Sequence, residues 1–344
     1  MKNRLLYFCA VLLVFSTYAT AQLSPVNPNA TPEAKALLEF LYSQRGKGVL
    51  TGQHSYPLFS DIYMERVENL TNGSHPVVFG QDFGYSKPNS LDGINFRQRT
   101  IDNAIKWHAK GAIITLMWHA VPPTSEENFT TWQGVNGVQS KLTDEQWKQL
   151  LTEGTEINNR WKAQVDVIAF FLKQLQDEKI PVIWRPYHEM NGDWFWWGAR
   201  PGNGGYRALY RMLYDRLVNY HHINNLLWAF NANELGSPNV GQYVDFFPGH
   251  DVVDILATDF YRNGYQIDDY EKLTKLANGK IIAIGECGKL PTPKILKNQP
   301  NWSWFMCWSE FLEVANDWDS RNAIYNSDLT ITLEELNLIT NSKL

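Results

Sequence analysis

Short apolar runs alternate with amphipathic stretches along most of this chain. Runs at 48–51, 76–81, 112–118, 181–186, 226–230, 253–258, 281–285 and 304–308 are apolar over most of their length and rich in Val, Ile, Leu, Phe and Trp. That is the pattern of strands buried on both faces. Most of the intervening segments carry a helical period instead. Ile157, Trp161, Val165, Ile168, Leu172 and Leu175 form one stripe, and Tyr206, Leu209, Tyr210, Leu213, Leu217 and Tyr220 form another. A further helix is expected over 31–45, after a lead rich in Pro and Asn. Eight strands with helices between them read as parallel β/α units that close into a (β/α)8 TIM barrel. An open doubly wound sheet shares the rhythm but calls for a glycine-rich phosphate turn after its first strand; here that turn reads TGQHSYP. There is no internal repeat, low-complexity tract or long linker, so residues 22–344 are expected to form one domain. The longest irregular stretch follows the third strand, from His119 to about Lys141, and a loop of that length is usually functional or mobile.

The first residues follow another pattern. Lys2 and Arg4 precede an apolar run from Leu5 to Phe15, and Ala19 and Ala21 then form an Ala-x-Ala site before Gln22. This is the arrangement of a signal peptide over residues 1–21, cleaved after Ala21. The run is short of the ~20 residues a membrane span needs. Export to the periplasm or the medium is the expectation, with no membrane attachment after cleavage. Export permits a disulfide between Cys287 and Cys307, but both lie in strand-like segments where a bridge between neighbouring strands is strained. Sequons at Asn69, Asn72, Asn128 and Asn301 matter only in a glycosylating host.

Composition narrows the partners. The formal charge is −5 and the 19% of charged residues are mixed in sign along the chain. No basic stripe stands out, which argues against nucleic acid. The chain holds 14 Trp and 16 Tyr; many of these rings must pack a core, but aromatic faces also stack on the C–H surfaces of sugars, so the count favours a carbohydrate site.

In a barrel of this kind the active site forms at the carboxyl ends of the strands. Polar groups and rings gather there: Gln53 and His54, Gln81 and Asp82, His119, then Tyr187, His188 and Glu189, Asn231 and Asn233, Asp259, Tyr261 and Arg262, Glu286, and finally Trp308 and Glu310. Two carboxylates close apolar strands that sit roughly opposite each other in the ring. Glu189 ends VIWRPYHE and Glu286 ends IIAIGE. Facing carboxylates suit glycoside hydrolysis, one protonating the leaving oxygen and the other attacking the anomeric carbon or activating water. Glu189 lies among Trp194, Trp196 and Trp197, where desolvation favours a held proton. Glu286 needs its charge, which Tyr261 and Arg185 are placed to support. Alternation along the strand puts Arg185, four residues before Glu189, on the same inward face. His54 is expected beneath the site, Trp132 either against a distal sugar or packed in its own loop, and at least one of Trp196 and Trp197 in the core.

The stretch WRPYHEMNGDWFWWG, residues 184–198, resembles the acid/base segment of glycoside hydrolase family 26, best known for β-mannanases. TGQH, MWH, TDFYR and IGECG fall where that family has matching segments, so the resemblance spans essentially the whole mature chain. It implies a clan A barrel and a retaining mechanism, with Glu189 as acid/base and Glu286 as nucleophile. It implies that His188 stands near the sugar 2-hydroxyl, that Tyr261 orients the nucleophile, and that His119, Trp194 and Trp308 line the sugar subsites beside the cleavage point. Arg185 joins this substrate-binding set. The family often carries Asn-Pro after the His of the third strand, where this chain reads HAVPPTS; the resemblance therefore does not carry over the local sugar contacts there, while the chemistry it implies is unaffected.

The activity so implied is endo-β-1,4-mannanase, acting on mannan, glucomannan and galactomannan as a monomer with no metal or cofactor. An exo-acting mannobiohydrolase, or a β-1,3-1,4-glucanase or β-1,3-xylanase, shares the chemistry. A non-catalytic carbohydrate-binding barrel would be expected to have lost one carboxylate. A metallohydrolase could draw on His54, His119 and His188, but no H-E-x-x-H spacing is present.

Overall fold

In the computed structural model, residues 24–71, 73–84, 94–126, 132–134 and 136–341 are described. The expected leader at 1–21 lies outside them, as do the sequons at Asn72 and Asn128. No described helix is long and apolar enough to cross a membrane.

The apolar runs form β1 (Val49–Leu50), β2 (Gly52–His54), β3 (Val78–Asp82), β4 (Ile113–Trp118), β5 (Val182–Pro186), β6 (Leu226–Asn233), β7 (Ile255–Phe260), β8 (Ile281–Cys287), β9 (Trp302–Cys307) and β10 (Thr330–Ile331). Every pairing among them is parallel. The order runs β2-β3-β4-β5-β6-β7-β8-β9, and β9 returns to β2. The barrel is therefore closed, with β1 and β2 sharing one of its eight positions and β10 added beside β1. An open doubly wound sheet is ruled out by that closure.

Two expectations about the strands are corrected. The first is split at Thr51. A Cβ on Gly52 would lie 2.4 Å from the Phe305 carbonyl oxygen, so glycine permits a close approach to β9 that divides the ladder. Secondly, β6, β7 and β8 run two or three residues beyond the ends read from the sequence. Asn231, Asn233, Asp259 and Glu286 lie within the ladder, Asn233 opposite Asp259 and Asp259 opposite Glu286. Polar side chains resemble a loop in sequence, but main-chain pairing with a neighbour continues through them.

Alternation along the strands builds two cores. Inside the barrel lie Leu50, Val78, Ile113, Met117, Ile183, Leu227, Ile255, Ile281, Trp304 and Met306, closed off by Ala34, Leu37, Leu38 and Leu41 of the helix Pro32–Gln44. Outside it, Ile114, Leu116, Trp118, Val182 and Trp184 pack on the helices. The helix Glu156–Asp177 buries the whole expected stripe and is capped by Thr155, whose hydroxyl accepts from Asn158 N–H. The second stripe holds through Leu217 but fails at Tyr220, which is 63% exposed while Val218 is buried. Residues Asp215–Tyr220 are π-helical. That wider turn rotates the face out of the 3.6-residue phase. Cys287 and Cys307 are buried free thiols on paired strands.

Candidate active site

The carboxyl ends of the strands surround a cavity of about 640 Å³. His119, His188, Glu189, Trp194, Tyr261, Glu286 and Trp308 all lie in its wall, as do Trp132 and Asp82. Arg185 does not. Grouped in sequence with the sugar-contacting residues, it lies 1% exposed behind Glu286 instead.

Glu286, near the end of β8, is held from two sides. Arg185 reaches across the barrel from β5, its Nη1 and Nη2 lying 3.2 and 3.3 Å from Glu286 Oε1. Tyr261 donates its hydroxyl to Oε2 at 2.8 Å. Burial and the Glu286 charge raise the Tyr261 pKa well above its ordinary value, so it stays a donor. Arg185 also donates to Asn231 Oδ1 at 2.8 Å and lies 3.9 Å from Asp259. Asp259 is pushed well above the carboxylate range by burial and by the charges of Glu286 and Glu189.

Glu189 is placed differently from the expectation. β5 ends at Pro186, so the pleat does not carry Glu189 inward. A tight turn does so: Tyr187 and Glu189 adopt left-handed φ of 48° and 54°, and Glu189 N–H donates to the Asn231 carbonyl at 2.8 Å. Strained backbone at non-glycine residues is characteristic of functional sites. The Trp194 indole N–H donates to Glu189 Oε2 at 2.7 Å. Its ring folds back over Gly192, where a Cβ would meet it at 2.1 Å, so glycine is what lets the ring reach the carboxyl. Burial first, then the charge of Glu286, raises the Glu189 pKa to about 8. The two carboxyls share one cavity, both buried but differently paired: Glu286 with a guanidinium and Glu189 with an indole N–H.

The imidazoles complete one wall. His188 Nε2 lies 3.5 Å from Glu286 Oε1, and burial, together with the nearby Arg185 guanidinium, lowers the His188 pKa well below its ordinary value. The ring therefore is neutral. His119 is fixed by Asp82, which accepts from its main-chain N–H at 3.0 Å and bonds Nδ1 at 2.5 Å. Burial opposes ionisation of Asp82, but the His119 contacts outweigh it and its pKa is lowered. His54 sits beneath the cavity, as expected, with its ring stacked on Trp308 at 3.7 Å and 11°. Burial lowers its pKa to about 3, so this ring too is neutral. Trp132 meets His119 edge-on at 5.0 Å. Both Trp196 and Trp197 are core residues, donating to the carbonyls of Ala120 and His188.

Several wall residues escaped the sequence. Phe195, inside the stretch WRPYHEMNGDWFWWG, faces the cavity while Trp196 and Trp197 do not. Tyr56, Gln139, Glu234, Ser237 and Phe311 also line it. Only Glu234, in the polar run NANE at the end of β6, carried a visible signal.

His188, Asp259 and Glu286 bring possible ligand atoms within 4.8 Å of one another. Arg185 already provides positive charge beside two of them, which fits an ion-paired carboxylate cluster.

A closed parallel barrel with an asymmetric carboxyl pair at the carboxyl ends of its strands, among sugar-sized aromatic faces, defines a glycoside hydrolase class of site. The model of glycosyl hydrolase family 26 matches residues 26–335, and the chain belongs to that family. The GH26A structure from a Muricauda species is 44% identical, with a TM-score of 0.84, covering 90% of this chain and 99% of that one. A β-mannanase structure from a symbiotic protist of the termite Reticulitermes speratus, in complex with gluco-manno-oligosaccharide, is 26% identical at a TM-score of 0.78, covering 92% and 98%. A mannan endo-1,4-β-mannosidase from Thermothelomyces thermophilus is 33% identical over 90% of this chain. The chain spans 47–62% of the length of three of the curated relatives it matches.

Proposed function

We propose that this chain is an exported, retaining endo-β-1,4-mannanase that hydrolyses mannan, glucomannan and galactomannan as a monomer without metal or cofactor. The substrate rests on the likeness to proteins named mannan endo-1,4-β-mannosidase. The chemistry rests on one observation: Glu189 is held protonated by burial beside Glu286, while Glu286 receives a guanidinium and a phenol hydroxyl.

Glu189 gives its proton to the glycosidic oxygen as the bond to the anomeric carbon breaks, and Glu286 attacks that carbon from the opposite face. The glycosyl-enzyme ester that forms carries no charge on Glu286. The repulsion from Glu286, which adds to burial in raising Glu189, is then gone, so Glu189, now a carboxylate, takes a proton from the incoming water. Water attacks the anomeric carbon and Glu286 leaves as a carboxylate. His188 faces the sugar beside Glu286, and Trp194 and Trp308 offer ring faces to the flanking sugars. Residues 1–21 direct export and residues 22–344 form the catalytic domain, which acts in the periplasm or the medium.

The test is the time course of products from linear mannan, mixed-linkage β-glucan and β-1,3-xylan with EDTA present, with the anomer of the first product read by NMR. A spread of β-configured manno-oligosaccharides from mannan supports the proposal. Mannobiose alone points to exo action, α-anomers to inversion, and binding without cleavage to a lectin-like barrel. N-terminal sequencing of the exported protein should begin at Gln22.

A further inference from the structure

Glu234 lies in the cavity wall, yet none of the steps above uses it. It is completely buried, and among the described residues it forms no ion pair with Lys or Arg. A buried carboxylate without a counter-cation is costly unless its oxygens are hydrogen-bonded. Those of Glu234 accept from three consecutive main-chain N–H groups. Tyr261 donates to Oε1 at 3.0 Å, Arg262 to Oε1 at 2.5 Å and Asn263 to Oε2 at 2.8 Å. The Glu234 N–H in turn donates to the Asp259 carbonyl at 2.9 Å. One side chain at the end of β6 thus ties down the turn that follows β7, and that turn carries the phenol that reaches Glu286.

We infer that Glu234 is a positioning residue for the reaction, its carboxylate fixing the main chain of 261–263 so that the Tyr261 hydroxyl is held on Glu286. This rests on the reading of Glu286 as nucleophile. The three N–H groups point at one carboxylate from successive residues, an arrangement that specifies the turn's path and not merely its attachment. Glutamine is a poor substitute. One of its two positions is an NH2 group, which cannot accept from the N–H facing it.

The experiment combines E234A, E234Q, Y261F and the double variant E234A/Y261F, with kcat and KM on manno-oligosaccharide, thermal melts as a folding control, and crystal structures. E234A should lower kcat about 10–100-fold with KM within about threefold, E234Q less, the pattern of a lost transition-state contact. The double variant should be little worse than Y261F, because both changes act through one phenol. The E234A crystal structure should show an intact barrel with the Tyr261 hydroxyl withdrawn from Glu286. Losses that multiply in the double variant, or a Tyr261–Glu286 hydrogen bond that survives, would overturn the inference. If E234A does not fold, E234Q and E234Q/Y261F carry the same comparison. Should the wild-type protein cleave no β-glycan, the functional reading fails, while the crystal structures still decide whether Glu234 places Tyr261.

Discussion

Replacing Trp194 by phenylalanine isolates a single hydrogen bond at Glu189, the proposed proton donor. The ring remains to face sugar, but the N–H at 2.7 Å from Glu189 Oε2 is lost. Indole nitrogen can only donate, so Oε2 must accept and the carboxyl proton is directed to Oε1. A hydrogen bond to an ionised group is worth about 1.5–3 kcal/mol, and one between neutral groups about 0.5–1.5 kcal/mol. The carboxylate form therefore loses about 1–1.5 kcal/mol more than the acid form, which is close to one pKa unit. With Glu189 as the acid, activity should be lost at high pH as this group, its pKa raised to about 8, gives up its proton. Trp194→Phe destabilises the anion and raises that pKa further. The alkaline limb of kcat/KM should move up by about one pH unit. Because Glu189 becomes anionic as it gives up its proton, the maximal rate should fall about tenfold. The assay is a pH profile on manno-oligosaccharide. A lower rate with an unmoved or downshifted alkaline limb would refute this account, since a steric defect alone has no reason to change the titration.

Glu189→Ala and Glu286→Ala should each lower kcat on mannan by several orders of magnitude with the melting temperature little changed. Glu189→Ala should lose less on an aryl mannoside with a good leaving group, which needs little protonation; equal losses on both substrates would speak against Glu189 as the acid. Tyr261→Phe removes the 2.8 Å donor that stabilises charge on Glu286. Its kcat should therefore fall about 10–100-fold with KM little changed, the pattern of a lost transition-state contact, and an unchanged kcat would remove Tyr261 from that role. His54→Ala takes away the ring stacked 3.7 Å beneath Trp308 and should raise KM more than it lowers kcat. A pure kcat effect would show that Trp308 does not depend on that support for binding.

Much of the scaffold was legible because burial on both faces leaves a continuous apolar run, and seven of the eight barrel positions carry one strand each. The stripe on Glu156–Asp177 was legible for a different reason: one helical face meets the barrel and the other meets water. The pattern failed where hydrogen bonding, not hydrophobicity, sets the geometry. The π turn moved Tyr220 outward, and the ladder extended through Asn231, Asp259 and Glu286 although their side chains are polar.

The sequence by itself determined the chemical inventory: two glutamates at the ends of apolar segments, with imidazoles, a guanidinium and rings nearby in the chain. Those are properties of residue type and local spacing. Only the tertiary structure decided what each one faces. It put Glu189 in a left-handed turn instead of on the strand, brought Trp194 back over Gly192, set Arg185 behind Glu286, and joined Asp82 to His119, His54 to Trp308 and Glu234 to the turn at 261–263. Except for the Trp194 contact, these pairings join residues far apart in sequence. They exist because barrel closure brings the strand ends together, and no local period in the chain records them.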